Sequence, residues 1–472
     1  MAKAPHSISK PASLGQVAEL DITGLAYGGD GVASLQGFTL FIPFTVPGDK
    51  VRAEVREVHK TYGRARLVKV LAPGPARVQP PCPAAGECGG CSWQQLDYPA
   101  QLQAKRGFVR ESLARLGGFG DAVPEPSAIL PSPQPLGYRN KALLALAPGP
   151  GGEPRMGFFA SGSHRVVPLP EQGCAIQAPL ANQALRVALA GLKAQGIRCW
   201  DERNKEGHAR NLLVRTARGG SQALLLLVTT DPCRDAYIEW GQAALLACQG
   251  LLSVMHNHQP GAGNVVLGSQ TRVLAGEDHL VEELGGYRYR ISADTFFQVN
   301  PSQTARLVQA LVEARQWSGS EQVLELYCGA GTLSLPLARS CGHVHGFESN
   351  NQAVEDARHN QELNQLKNLT FHARSAVQGF PVLEQAGIKP DVLVLDPPRK
   401  GMEAALLEAV LKHKPAEILY VSCDPASLAR DLGALAREGG YQVKSITPVD
   451  MFPQTYHVES VTHLTLSPAV NA

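Results

Sequence analysis

The sequence predicts an α/β protein: a Rossmann-like doubly wound domain in its C-terminal part, preceded by an OB-like β-barrel and a mostly β or α+β central domain. Three observations carry this. Runs 323–326, 392–395 and 418–421 are short and mostly apolar, as parallel strands covered on both faces are, and helical stretches separate them. Residues 17–70 instead show short alternating strands between the turns Gly28-Gly29-Asp30-Gly31 and Pro47-Gly48-Asp49, a barrel pattern. A chain of 472 residues also exceeds one core.

In chain order, residues 1–14 read as a flexible tail and 15–72 as the barrel, with strands at 17–20, 39–44, 51–58 and 64–70. The barrel's second half carries Lys50, Arg52, Arg56, Lys60, Arg64, Arg66 and Lys69 against Asp49, Glu54 and Glu57. The whole-chain net charge of +2 hides this basic surface, which suits a phosphate backbone and equally suits a solvated barrel face. Residues 98–116 predict a helix, with Leu102, Val109, Leu113 and Leu116 on one face and Gly117-Gly118 ending it. Segments 73–97 and 122–290 are assigned to the central domain, 98–121 and 291–472 to the C-terminal domain. Gly137-Tyr138-Arg139-Asn140-Lys141 is a basic-aromatic knot that suits RNA or a strand start. With 44% hydrophobic and 18% charged residues the chain is not of the disordered class. It shows no secretory leader and no stretch long enough to cross a bilayer, so a cytoplasmic protein with no membrane partner is expected.

Chemistry concentrates where strands end. Glu325-Leu326-Tyr327-Cys328-Gly329-Ala330-Gly331-Thr332-Leu333 joins the strand at 323–326 to a predicted apolar helix from Leu333. Gly329 and Gly331 there let backbone approach a ligand, and Glu348, closing the strand at 343–347, suits both ribose hydroxyls. This layout fits a nucleoside and leaves a dinucleotide and S-adenosylmethionine open. Ser334 stands where a dinucleotide fingerprint has its third glycine, which lowers the dinucleotide reading. Asp396 opens the stiff turn Asp396-Pro397-Pro398-Arg399-Lys400-Gly401 straight after a buried strand, facing cofactor or reacting base.

Cys423 ends another strand, in Tyr420-Val421-Ser422-Cys423-Asp424-Pro425. Most cysteines of this kind are packing residues, but the Asp-Pro step exposes this thiol at the ligand edge. A thiolate beside a methyl donor solves one problem. Carbon 5 of uracil is a poor nucleophile until a thiolate adds to carbon 6 and makes the ring an enolate. A base must then take the carbon 5 proton, and His457 and Glu459, two apart on a predicted last strand, both qualify.

There are ten cysteines. Cys82, Cys88 and Cys91 form a C-x5-C-x2-C cluster, Gly89-Gly90 permits a tight fold about a metal, and Cys174 is the best candidate for a fourth ligand. Four thiolates suit zinc or an iron–sulfur cluster equally.

Phe296-Phe297-Gln298-Val299-Asn300, Tyr-Cys-Gly-Ala-Gly-Thr at 327–332, Asp-Pro-Pro-Arg-Lys-Gly at 396–401 and Val-Ser-Cys-Asp-Pro-Ala-Ser-Leu-Ala-Arg-Asp at 421–431 resemble the RNA (uracil-5-)methyltransferases, and the barrel resembles a TRAM domain. The resemblance spans nearly the whole chain, in the family's order. It implies Cys423 as nucleophile and Glu459 as base. It implies S-adenosylmethionine held by Gln298, Tyr327, Thr332, Glu348 and Asp396, beside the backbone of Gly329 and Gly331 read from the turn, and Phe296 as a stacking surface for a flipped-out uracil. It further implies a 4Fe-4S cluster on Cys82, Cys88, Cys91 and Cys174. The family's ribosomal-RNA branch carries that cluster, so 23S ribosomal RNA is the expected partner. A transfer RNA substrate and a non-catalytic iron–sulfur RNA-binding protein are the alternatives. Two positions depart from the pattern: Ser375, where relatives often carry Asn or Asp, and Asp424, where Asn is common and an acid is expected to raise the thiol's pKa.

Overall fold

The computed structural model describes residues 12–261, 263, 265–293 and 295–467, so residues 1–11 of the expected tail lie outside it. The chain divides into two compact units, Met1–Ala104 with Pro453–Tyr456, and Lys105–Phe452 with His457–Ala472.

The first unit is built on strands β1 (Val17–Asp21), β2 (Gly24–Leu25), β3 (Gly31–Leu35), β4 (Phe38–Ile42), β5 (Lys50–Val58) and β6 (Tyr62–Ala72). They form one sheet in the order β1-β5-β6-β4-β3-β2, and β1 packs back towards β3 so that the sheet curls. Alternation does the work: Val51, Ala53 and Val55 of β5 point into a core with Leu20, Ile22, Leu40 and Ile42, while Lys50 and Arg52 point out. Asp49 is no surface charge. It is buried, accepts the Val46 and Gly74 amides at 2.8 and 2.9 Å, and pairs with Arg77. The basic face is partly answered by carboxylates from elsewhere in the barrel: Arg52 pairs with Glu19, Arg64 with Asp30, and Arg56 and Arg66 share Glu54. Exposed pairs of this kind are screened by solvent and weak, so a phosphate can displace them.

Helix α1 (Tyr98–Arg115) begins in the first unit and continues into the second. The central part of the second unit has β7 (Lys141–Pro148), β8 (Pro154–Phe159), β9 (Val166–Pro168), α2 (Pro179–Ala194), β10 (Ala209–Ala217), β11 (Gln222–Thr229), α3 (Asp235–Ala247), β12 (Leu251–His258) and β13 (Gln270–Gly276). Its sheet runs β13-β12-β11-β10-β7-β8-β9. Leu225 and Leu227 pack with Leu185, Leu192 and Trp240 of α2 and α3, while Leu224 and Leu226 pack with Leu280 and Ala293 on the other face. Burial on both faces explains the leucine run in β11. The knot at 137–141 leads into β7: Tyr138 and Asn140 are 5% and 3% exposed, while Arg139 and Lys141 are half-buried.

A hairpin, β14 (Leu280–Leu284) and β15 (Tyr287–Ile291), and helix α4 (Pro301–Glu313) lead into the C-terminal sheet. The order there is β16 (Gln322–Leu326), α5 (Ser334–Ala338), β17 (His343–Glu348), α6 (Asn351–Leu363), β18 (Leu369–Ala373), α7 (Gly379–Gln385), β19 (Val392–Leu395), α8 (Ala404–His413), β20 (Glu417–Ser422), α9 (Pro425–Gly439), β21 (Tyr441–Val449) and β22 (Glu459–Leu466). The sheet reads β18-β17-β16-β19-β20-β22-β21. β16 to β20 are parallel; β22 is antiparallel to both neighbours. Val323, Val394 and Val421 join Leu307, Leu335 and Val354 on one face. Leu326, Leu393 and Tyr420 join Val109, Phe380, Leu406 and Leu432 on the other. The expected doubly wound sheet is therefore present. The helix expected from Leu333 is a single short turn, because Pro336 sits within it and the chain must re-enter the sheet at His343. Among the described residues no helix is long and apolar enough to cross a membrane.

Lys105 of α1 forms an ion pair with Asp450 in which both side chains are fully buried, and donates to the Phe452 carbonyl at 3.0 Å. Removing one partner strands the other charge in the core. Lys105→Ala is expected to lower unfolding free energy by about 3–5 kcal/mol. In urea titrations, Lys105→Met with Asp450→Leu should recover part of that loss.

Candidate functional site

Between β16 and β19 the winding direction of the sheet reverses, and in doubly wound sheets ligands bind at such a point, outside the strands' carboxyl ends. The turn 327–332 follows β16, Glu348 closes β17, Asp396 follows β19 and Cys423 follows β20. Because β22 runs the other way, its Ser460 pairs with Ser422, and Glu459 arrives beside Cys423.

The turn after β16 divides its labour. Tyr327 takes a left-handed φ of 66°, a strain on the order of 1–3 kcal/mol that surrounding structure must hold. Gly331 is needed for packing: a Cβ there would lie 2.9 Å from Leu335 and 3.3 Å from Phe371. Gly329, with φ of 54°, has nothing within 4 Å of where its Cβ would stand, so its backbone faces open space. Its amide donates to Glu348 Oε2 at 3.2 Å, and the Asn350 amide donates to Oε1 at 2.7 Å. Oε1 also accepts the Ser349 hydroxyl at 3.3 Å, so Oε2, with one donor, keeps a lone pair for a ribose hydroxyl. The Thr332 carbonyl accepts the Tyr289 hydroxyl at 3.3 Å, and the Gln298 carbonyl accepts Asn140 Nδ2 at 3.2 Å. Open backbone beside a strand-end carboxylate fits S-adenosylmethionine.

At the other side of the crevice, burial, the Glu459 and Asp396 charges push the half-buried Cys423 thiol up to about 12, with Arg399 opposing. Glu459 is 2% exposed, and its Oε2 has no hydrogen-bond partner among the described residues. Burial and the Asp396 charge hold its carboxyl above the ordinary range, again against Arg399; burial raises Asp396 as well. A buried carboxylate with an unpartnered oxygen is costly to ionise, which suits a group that exchanges a proton. Asp424 is the weakest influence on the thiol, and its Oδ1 accepts the Ser427 amide at 2.8 Å as the N-cap of α9. Its departure from the family pattern is thus absorbed by capping. Ser375 likewise caps the turn Ala376–Gln378, with Gln378 returning the contact. His457 precedes β22, so the alternation expected to align it with Glu459 does not reach it, and burial pushes its imidazole down to about 4.

Two residues of this edge went unremarked in the sequence. Arg399 is the cation that opposes the raised proton affinities, and only its place in the Asp-Pro-Pro-Arg-Lys-Gly turn hinted at it. Glu325 lies within β16, 1% exposed, and burial pushes it up to about 8. A carboxylate inside an apolar strand was the available signal.

The expected cluster cysteines are divided between the two units. Cys82, Cys88 and Cys91 share one loop of the first unit, where Cys88 Sγ accepts the Gly90 amide at 3.4 Å and the Cys82 thiol adds to what raises Cys88. Cys174 belongs to the second unit, where its backbone is held by Asn182. Among the described residues no three His, Cys, Asp or Glu side chains form a metal-holding group.

Residues 264–466 match the family model described as tRNA (Uracil-5-)-methyltransferase, and residues 11–68 match the TRAM domain. Uncharacterised RNA methyltransferases of Gloeobacter violaceus and of Listeria monocytogenes serotype 4b are each 40% identical to the chain, over 95% and 96% of it and 96% and 98% of their own lengths. The chain belongs to the RNA (uracil-5-)methyltransferase family. The Pyrococcus abyssi tRNA (uracil-54, C5)-methyltransferase, solved with S-adenosyl-L-homocysteine, superposes with a TM-score of 0.74 at 28% identity, covering 95% of this chain and 99% of that one. This uracil-5 methyltransferase accordingly uses S-adenosylmethionine as methyl donor and RNA as substrate.

Two outcomes follow for the edge. Arg399→Ala leaves both the thiol and the Glu459 carboxyl holding protons to higher pH, so the acid limb of the kcat profile should move alkaline, and Arg399→Lys should restore it. Asp424→Asn keeps the helix cap and removes only the weakest charge, so its turnover should stay within about twofold of the parent.

Proposed function

We propose that this protein methylates carbon 5 of a uridine in 23S ribosomal RNA, with Cys423 as nucleophile and Glu459 as base. The observation that carries the chemistry is the meeting of Cys423, Glu459 and Asp396 at the sheet edge that also bears the Gly329 turn.

The thiolate of Cys423 adds to carbon 6 of the uracil, and the ring's electrons shift onto its carbonyl oxygen as an enolate. Carbon 5 then takes the methyl group that S-adenosylmethionine supplies. Glu459 removes the carbon 5 proton, the C6–S bond breaks, and the thiolate is regenerated. Gln298, Tyr327, Gly329, Gly331, Thr332, Glu348 and Asp396 hold the donor. Phe296, 68% exposed, offers a face on which the extruded base stacks. A base that must be ionised, and is held protonated by its surroundings, gives a rate that rises with pH above the ordinary carboxylate range.

Cys82, Cys88, Cys91 and Cys174 are proposed to bind a 4Fe-4S cluster that orders the RNA-binding part of the chain and takes no part in methyl transfer. Three cysteines on one loop, with an amide directed at Cys88 Sγ, suit thiolate ligation in kind. That cluster and the TRAM domain together support the ribosomal assignment. Transfer RNA is the second reading, favoured by the likeness to an enzyme of tRNA uracil-54.

The test is methylation of separate unmodified 23S ribosomal and transfer RNA pools by anaerobically purified protein, read as 5-methyluridine by mass spectrometry. Product in the ribosomal pool, lost in Cys423→Ala, is expected; product only in transfer RNA overturns the substrate. Glu459→Gln should slow turnover by about 10²–10⁴-fold while a denaturation-resistant protein–RNA adduct accumulates, because elimination of Cys423 needs the carbon 5 proton removed. Iron and acid-labile sulfide near zero in fresh anaerobic protein would overturn the cluster.

A further inference from the structure

The loop between β15 and α4 carries Phe296 outward, with Phe297 and Gln298 buried beside it. An exposed aromatic needs a stiff support if it is to meet one base in one pose, because a misplacement of about 1 Å costs roughly 10²-fold in rate. That support comes from α6. Asp356, 1% exposed, accepts the Thr295 hydroxyl at 2.6 Å through Oδ2 and the Ser292 hydroxyl at 2.9 Å through Oδ1. From the other side Arg215 of β10 donates to the Thr295 carbonyl at 2.6 Å. Asn140 donates its backbone and side-chain amides to the carbonyls of Val299 and Gln298 at 2.9 and 3.2 Å.

The same helix holds the methyl-donor turn. Asn360, one helical turn after Asp356 and fully buried, donates to the Ala330 carbonyl at 3.0 Å and accepts the Arg290 amide at 2.6 Å. The helix also starts immediately behind Glu348: Asn350 caps it, and the Asn350 amide holds the Glu348 carboxylate. One rigid element therefore touches the glycine turn, the ribose-binding carboxylate and the base-presenting loop. The Asp356 hydrogen bonds are charge-assisted and the Asn360–Ala330 bond is buried, so α6 ties the base-presenting loop to the glycine turn.

We propose that Asp356 and Asn360 are positioning residues, and that α6 is a strut setting the distance between the methyl donor and the aromatic that receives the target base. Asp356 governs the RNA end through Thr295; Asn360 governs the donor end through Ala330. The proposal rests on the uridine methylation described above.

Three variants separate the two ends, read by RNA kcat and KM, S-adenosylhomocysteine affinity by calorimetry, and thermal melting. Thr295→Val, matched in shape but without the hydroxyl, should lose about 10–100-fold in kcat/KM for RNA while its S-adenosylhomocysteine affinity and melting stay near the parent's. Thr295→Ser should recover the loss. Asn360→Asp, which keeps the acceptor and loses the donor, should weaken S-adenosylhomocysteine by up to about tenfold at unchanged RNA affinity. Parent-like RNA turnover in Thr295→Val overturns the proposal. So does loss of both ligands in proportion to a fall in melting temperature, which is what a merely structural role gives. A parent protein that makes no 5-methyluridine overturns the underlying function, and the strut with it.

Discussion

The reversed direction of β22 is what the reaction centre depends on. A sheet of parallel strands delivers only the residues that follow each strand to its carboxyl edge. Here β22 enters the sheet against β20, so its first residue is delivered to the edge where β20 ends. Glu459 thereby reaches Cys423 from a segment more than thirty positions away; Glu459 is fixed by its pairing with Val449, and Cys423 directly follows the paired Ser422. The register Ser422 with Ser460 sets it, and a one-residue slip would turn Glu459 to the opposite face.

That geometry packs acid groups where few are tolerated. Glu325, Asp396 and Glu459 all hold protons above the ordinary carboxylate range, chiefly because they are buried, and Glu459 and Asp396, when ionised, raise the Cys423 thiol. In isolation this edge disfavours a thiolate. Arg399 is the local counterweight, and the methyl donor brings a sulfonium charge into the crevice. The barrel works by the opposite logic. Its arginines are paired loosely at the surface, where solvent makes such contacts cheap to exchange for phosphate.

Much of the centre was legible in the sequence, for a physical reason. Tyr327, Asp396 and Cys423 each follow a buried strand directly, and apolar runs locate strand ends well. What stayed hidden depends on partners far apart along the chain. Asp356 and Asn360 stand in a polar stretch, and nothing local in it shows that both are buried against a loop and a glycine turn. The knot at 137–141 left RNA contact and a strand start open; β7 begins at its Lys141, and Asn140 clamps the Gln298 loop. Asp49 looked like surface charge, and only the fold brings Arg77 and the Gly74 amide to it. The His457 and Glu459 ambiguity arose from extending a strand two residues too far.

The most direct test of the central claim follows the hydrogen that Glu459 is assigned to remove. RNA carrying tritium at carbon 5 of its uridines would be methylated to completion, and label released to water compared with methyl groups incorporated. Covalent attack by Cys423 with proton removal by Glu459 requires tritium to leave one for one with methyl transfer, and no release from Cys423→Ala. Methyl incorporation with the label retained would place the methyl group on another atom and contradict the account.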